Sequence, residues 1–424
     1  MRYSAIGWAG VTLAASLWTG MARAEEWAFS SYGTLGYATS DRSYRYERFI
    51  DDQGTIRRDS VLGAQLDLRW NPQWAATLQA KVAPSMGNDN KWGVNTAWAF
   101  VSWRPDNDWL LRAGKQRLPF YLNSESVDVG ATYDLARLPG AIYSLMPSNE
   151  FTGAYASRTW MGESGELTAD VYGGESRLTV RAATRAAGVD FLTDLARYLG
   201  GALTWRQPSA TWRVGAHRMQ LRKLDGTDMG ANYPWVDLGG GLGYYKMSDL
   251  MYGPPIGRAS HKTIHVYTLG AELEPAPTWR VVSEVARSVS PGHADANWST
   301  ISGYVALLHR MDRFTPYVSV SRLKSLGTMA RLSASLDSVE LPSSVPGASA
   351  INLSQQLAAD YGGAFDEHSL AVGTSLAITP QSKLKFEWMR TEIGKRSGMV
   401  DSPASGVVRH QHINVLTGNF SFVF

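Results

Sequence analysis

The sequence predicts an all-β chain, a transmembrane antiparallel β-barrel of about sixteen strands. Three observations lead there. Segments of roughly ten residues alternate apolar and polar side chains along most of the chain, the pattern of a strand with two unlike faces. Tryptophans recur where these segments meet short turns. The last segment alternates up to a terminal phenylalanine, Phe424.

The N-terminus comes first in the chain. A basic start, Met1-Arg2-Tyr3, precedes an apolar stretch from Ala5 to Trp18 and the small-residue site Ala22-Arg23-Ala24. This reads as a cleavable signal peptide over residues 1–24, leaving 25–424 as one domain. The apolar stretch is too short for a spanning helix, which needs about 20 residues. Export leads to an oxidising space, yet the 424-residue chain has no cysteine, so no disulfide supports its fold. Loss of Arg2 and Arg23 leaves 39 of 41 basic residues against 38 acidic ones. A nearly neutral chain is no partner for nucleic acid, which demands a concentrated basic surface.

The hairpin at 61–82 shows the alternation most clearly. Leu62, Ala64, Leu66, Leu68 and Trp70 share one face, with Gln65, Asp67 and Arg69 on the other. Asn71-Pro72-Gln73 turns the chain, and Trp74, Ala76, Leu78, Ala80 and Val82 alternate with Thr77, Gln79 and Lys81. The pattern predicts strands at 27–39, 58–70, 74–83, 94–104, 109–116, 150–160, 167–174, 198–206, 211–219, 261–273, 279–287, 299–309, 315–324, 367–378, 383–392 and 408–424. Seven short turns alternate with eight longer connections near 40–57, 84–93, 117–149, 175–197, 220–260, 288–298, 325–366 and 393–407. Sixteen strands with both ends on the periplasmic side have seven inner turns and eight outer loops.

Trp70, Trp74, Trp103, Trp109, Trp205, Trp212 and Trp279 cluster at the short turns. Indole rings favour the membrane–water interface, where an apolar body sits beside one polar N–H. Beyond residue 26 no apolar run is long enough for a spanning helix. Strands cross hydrocarbon only in a closed sheet, because every backbone N–H and C=O must then find a partner within the protein.

The inward positions hold Gln65, Asp67, Arg69, Thr77, Gln79, Lys81, Arg104, Arg112, Arg280, Glu284, Lys383, Lys385 and Glu387. Burying so many ionised groups dry costs several kcal/mol each by order of magnitude. The interior is therefore expected to be wet, and a barrel of about sixteen strands is wide enough to hold water.

Catalytic and metal chemistry find no motif. The eight histidines are scattered, no His-Glu-x-x-His occurs, and neither a nucleophile elbow nor a phosphate loop is present. Neither a metal nor a cofactor is expected. Gly239-Gly240-Gly241-Leu242-Gly243 has no helix pattern after it and reads as flexible loop.

Three stretches resemble a known family: the opening strand Phe29–Tyr37, the segment Leu111–Phe120 with its long insertion before Phe151–Tyr155, and the closing Leu416, Gly418, Phe420, Phe422 and Phe424. They resemble the Gram-negative outer-membrane porins of the general trimeric, sixteen-stranded kind, over the whole of 25–424. The resemblance implies residence in outer-membrane lipid, a homotrimer, and Phe420, Phe422 and Phe424 as the signal read by the assembly machinery. It implies a water-filled channel for ions and small hydrophilic solutes, with the long third loop, 117–149, folded into the pore. Loop residues Glu125, Asp128, Asp134 and Arg137 would then face wall residues Arg69, Lys81, Arg104 and Arg112, with Leu138-Pro139-Gly140 as a bend. Facing charges of that kind set a transverse field and a size limit. Alternatives are a channel selective for anions or organic acids, and an adhesin or receptor acting through 220–260 and 325–366. A barrel enzyme would need a Ser/His/acid cluster that the sequence does not display.

Overall fold

The structure, a computed structural model, describes residues 26–146, 149–291 and 297–424. The expected signal peptide lies outside these residues.

Sixteen antiparallel strands form the closed barrel. They are β1 (Glu26–Ser40), β2 (Val61–Arg69), β3 (Trp74–Pro84), β4 (Trp92–Trp103), β5 (Trp109–Arg117), β6 (Glu150–Gly162), β7 (Gly165–Thr184), β8 (Gly188–Gln207), β9 (Ala210–Lys223), and, after four short strands in an outer loop, β14 (Lys262–Ala276), β15 (Trp279–Val289), β16 (Thr300–His309), β17 (Phe314–Ser325), β18 (Phe365–Thr379), β19 (Ser382–Ser397) and β20 (Gln411–Val423). Each pairs with its neighbours in sequence order. Closure comes from β1 on β20, in a register running from Tyr32 opposite Val423 to Ser40 opposite Val415. Ser31 and Phe424 complete it by exchanging backbone N–H···O bonds of 2.8 and 2.7 Å.

All sixteen predicted strands are present. The largest departure is at 175–197, expected as a loop. There β7 and β8 run on as a paired ribbon to Thr184 opposite Gly188. Glu175, Arg177, Arg181, Asp190 and Asp194 hide this ribbon from an apolar-alternation test, since strands that rise beyond the lipid need no apolar face. Gly239–Gly241, expected as flexible loop, instead turn a hairpin of β11 (Trp235–Gly239) and β12 (Leu242–Tyr245). Their φ angles of 84°, 61° and 81° explain the three glycines. The other two short strands, β10 (Met229–Asn232) and β13 (Gly257–Ala259), pair in the same loop.

The lipid-facing positions are apolar and exposed, as at Leu35, Leu62, Leu78, Leu203, Val318 and Phe386. At the short-turn end stand the tryptophans: Trp74 stacks on Trp103 with centroids 5.7 Å apart, Trp205 lies opposite Trp212, and Trp279 stacks on His309. This is the interfacial girdle expected from the sequence.

The interior differs from the expectation in one respect. Gln79, Glu284, Lys385 and Glu387 point inward as predicted, but part of the wall is apolar. Tyr172, Tyr198, Met219, Ile264, Val282 and Tyr304 form it, and Leu118, Phe120, Tyr121 and Ile142 pack on it. Ile264 and Val266 face inward on β14, while Thr263 and His265 face outward, so here the apolar side of the strand is the lumen side and the polar-inside rule misassigns it.

The third loop and its ionic anchors

Between β5 and β6 the chain does not stay at the rim. Its apolar entry segment docks on the wall just described. From there backbone groups that would otherwise be orphaned find side chains on distant strands. Arg213 of β9 donates to the Pro119 carbonyl at 2.6 Å, and the Leu122 N–H donates to Glu284 of β15 at 2.8 Å. The Ala136 N–H donates to the Tyr317 hydroxyl of β17 at 2.9 Å. Lys385 of β19 donates to the Gly130 and Leu135 carbonyls at 2.5 and 3.1 Å, and Asn419 of β20 to the Ala136 carbonyl at 2.6 Å. Buried main-chain groups require such partners, and partners on five strands carry the loop across the lumen. Gly130 permits a close approach to the wall, because a Cβ there would lie 2.4 Å from Ser421 Oγ and 2.5 Å from Thr34 Oγ1. After Pro139 a single turn of helix, α1 (Gly140–Tyr143), begins the return.

Of the four charged loop residues named from the sequence, Glu125, Asp128 and Asp134 pair with basic side chains of the strands, whereas Arg137 pairs with Glu47 and Asp59 between β1 and β2. Asp128 meets Lys81 at 2.7 Å and also pairs with Arg117. Asp134 meets Lys383 at 2.7 Å and Ser375 at 2.9 Å, and pairs with Arg280. Glu125 meets Arg112 at 3.1 Å. Arg137 donates to both Asp59 oxygens at 3.0 and 2.8 Å, to Glu47 at 3.0 Å and to Thr417 at 3.1 Å.

Of the predicted wall partners, Lys81 and Arg112 touch the loop and Arg69 and Arg104 do not. Arg69 pairs with Glu26 at 3.1 Å, both well exposed. Arg104 follows Trp103 in a short turn and makes no ion pair among the described residues. Arg69 stands opposite Ala75, six residues from Lys81 on the same strand, which at about 3.3 Å per residue is roughly 20 Å of strand. The two arginines belong to the turn end of the barrel. In their place the structure brings Arg117, Arg280, Lys383 and Lys385 to the loop. Three of these were legible as inward cations, but nothing in the sequence joined β15 and β19 to a loop more than 130 residues earlier.

Electrostatics favour the charged state of Asp128 and Asp134. Burial alone would raise Asp128, but Arg117 and Lys81 outweigh it and hold its carboxyl below the ordinary value. Asp134 is likewise lowered, burial being overcome by Lys383 and Arg280. Lys81 and Lys115 share Glu150 at 3.3 and 3.0 Å, and Arg280 also reaches Glu272 at 3.4 Å. Among these side chains six cations, Lys81, Arg112, Lys115, Arg117, Arg280 and Lys383, face five carboxylates.

A closed barrel with an apolar outer face, a Trp girdle and one loop crossing a charged lumen defines a transmembrane channel. Residues 34–238, slightly less than half of the chain, match the family model described as phosphate-selective porin O and P. Solved structures with the same fold include an anion-selective porin from Comamonas acidovorans, at 11% identity and TM-score 0.52 over 94% of this chain and 100% of that one. OmpT of Vibrio cholerae in a trimer form gives 9% and 0.50 over 94% and 99%. OprB of Pseudomonas putida gives 10% and 0.50 over 98% and 97%. No curated protein matches the chain significantly. The chain thus has the fold of sixteen-stranded outer-membrane porins, and residues 34–238 resemble the phosphate-selective porin O and P family.

Proposed function

We propose that the third loop is the constriction of this porin and that its ion pairs with the wall form the filter for hydrophilic solutes. The observation that carries this reading is the anchoring of one loop on both sides of the lumen, through Asp128 to Lys81 and Arg117 and through Asp134 to Lys383 and Arg280. A segment held at both sides cannot swing aside, so solutes must pass beside it, along paired charges that set size and sign selectivity. Single-channel recording tests this. Replacing Asp134 with Ala should free one side of the loop and raise conductance, and an unchanged conductance would reject the constriction.

A second reading, a channel preferring anions, is favoured by the excess of cations over carboxylates around the loop and by the family match. Reversal potentials in a salt gradient decide between the two.

The same proposal includes cleavage of residues 1–24, assembly into a homotrimer, and recognition of Phe420, Phe422 and Phe424 by the assembly machinery. The trimer is supported by the likeness to OmpT. The terminal signal is supported by the alternation of Phe420 and Phe424 on the exposed outward face. No catalytic role is assigned, since the fold is a channel's.

A further inference from the structure

Strand alternation sends Leu195, Arg197, Leu199 and Leu203 of β8 outward, with Val214, Arg218, Gln220 and Arg222 of β9 and Thr263, His265, Tyr267 and Leu269 of β14 beside them. The lower part of this face is the apolar belt, rising from the Trp205–Trp212 row through Leu203, Val214 and Leu269. Its upper part is cationic. Arg218 lies between Leu199 and His265, Gln220 between Arg197 and Thr263, and Arg222 opposite Leu195. Two adjoining grooves open there. One of about 490 Å³ is lined by Arg218, Ser260, His261, Thr263 and His265, and one of about 110 Å³ by Leu195, Arg197, Gln220, Arg222 and His261.

Charge decides what this face meets. Arg197 has a loose pair with Glu175 at 3.5 Å. Arg218 and Arg222 have no acidic partner among the described residues. Arg222 is ten residues above Trp212, which at about 3.3 Å per residue and a tilt of roughly 40° is about 25 Å of height, the thickness of the apolar band. By the same measure Arg218, six residues above Trp212, stands about 15 Å up, so the guanidiniums span from about 10 Å below the outer edge of the lipid, at Arg218, to that edge, at Arg222, at the long-loop end. An unpaired arginine on a lipid-facing strand is destabilising unless a counter-charge reaches it.

We infer that the outward face of β8, β9 and β14 is a docking site for a phosphorylated, acylated glycolipid of the outer leaflet, with phosphate on Arg197, Arg218 and Arg222 and acyl chains along the leucine-rich belt beneath. Guanidinium recognises phosphate in bidentate fashion, and an apolar track continuous with the cationic row fits an anionic amphiphile rather than a free anion.

The test uses the full folded chain in detergent micelles, with diphosphorylated lipid A, its dephosphorylated form, phosphatidylcholine and inorganic phosphate as probes. Diphosphorylated lipid A should bind about tenfold or more tighter than the dephosphorylated form or phosphatidylcholine. The variant carrying Arg197→Gln, Arg218→Gln and Arg222→Gln should lose that preference, and the corresponding triple Lys variant should keep most of it. Folding is checked by heat-modifiable electrophoretic mobility; should the Gln variant fail it, Arg218→Gln alone and the Lys variant carry the comparison. Equal binding of both lipid A forms, or an unchanged preference in the Gln variants, overturns the proposal. Full competition by millimolar inorganic phosphate overturns it in favour of a simple anion site. A changed oligomeric state with unchanged lipid binding overturns it in favour of an interface between copies.

Discussion

Asp128 on the third loop holds the Lys81 ammonium of β3 at 2.7 Å, and Lys81 in turn lies 3.3 Å from Glu150 where the loop ends. One wall cation thus joins the middle of the loop to its C-terminal hinge. Its removal leaves Asp128 to Arg117 and Glu150 to Lys115.

Replacing Lys81 with Gln should shift selectivity toward cations. One unit charge about 5 Å from a passing ion in water is worth about 0.8 kcal/mol, roughly a fourfold change in the permeability ratio. Reversal potentials measure it. Arg69→Gln and Arg104→Gln, at the turn end, should change the ratio far less, and an equal effect there would move the filter away from the loop.

Arg137 sits in a buried network with Glu47, Asp59 and Thr417. Arg137→Ala leaves Glu47 and Asp59 to Arg58 alone, at 2.9 and 3.7 Å, so the cost should fall below the about 3–5 kcal/mol of a buried pair that loses its partner outright. The expected outcome is a lowered unfolding temperature, read by heat-modifiable electrophoretic mobility. Arg137→Lys should recover only part of it, because the bidentate contact with Asp59 needs a planar fork.

The pH dependence of the loop follows from the lowered Asp128 and Asp134. A carboxyl whose folded value is depressed contributes stability that is complete above its ordinary value, about 3.9, and is lost as pH falls through the depressed one. Conductance should therefore hold steady from pH 7 to about 5 and change only below about 4. A transition near pH 6 would show that groups other than these two carboxyls control the conductance.

Deleting Phe424 removes its two backbone bonds to Ser31 as well as the terminal aromatic. The yield of folded barrel in the outer membrane should fall sharply, measured by fractionation and immunoblotting. A Phe424→Ala chain keeps both bonds, so comparing the two separates barrel closure from recognition of the ring.

The barrel was legible because its cause is local. Alternation with period two is written into each ten-residue segment, as in Leu62 to Trp70, and the aromatic row and the terminal Phe424 mark where segments end. Legibility stopped where strands leave the lipid, as at Arg177 and Asp194, because water imposes no apolar face.

The sequence by itself determined that the chain is a closed, membrane-spanning sheet with charges on its inner side and a long third loop. Only the tertiary structure decided which charges meet. Lys81 and Arg112 were within reach of an argument from neighbouring strands, whereas Lys383 and Arg280 reach Asp134 only because closing the ring brings β15 and β19 around to the far wall. It also decided that part of the interior is apolar. Side-chain periodicity is a property of a single strand, while contact across a lumen depends on the register and circumference of all sixteen.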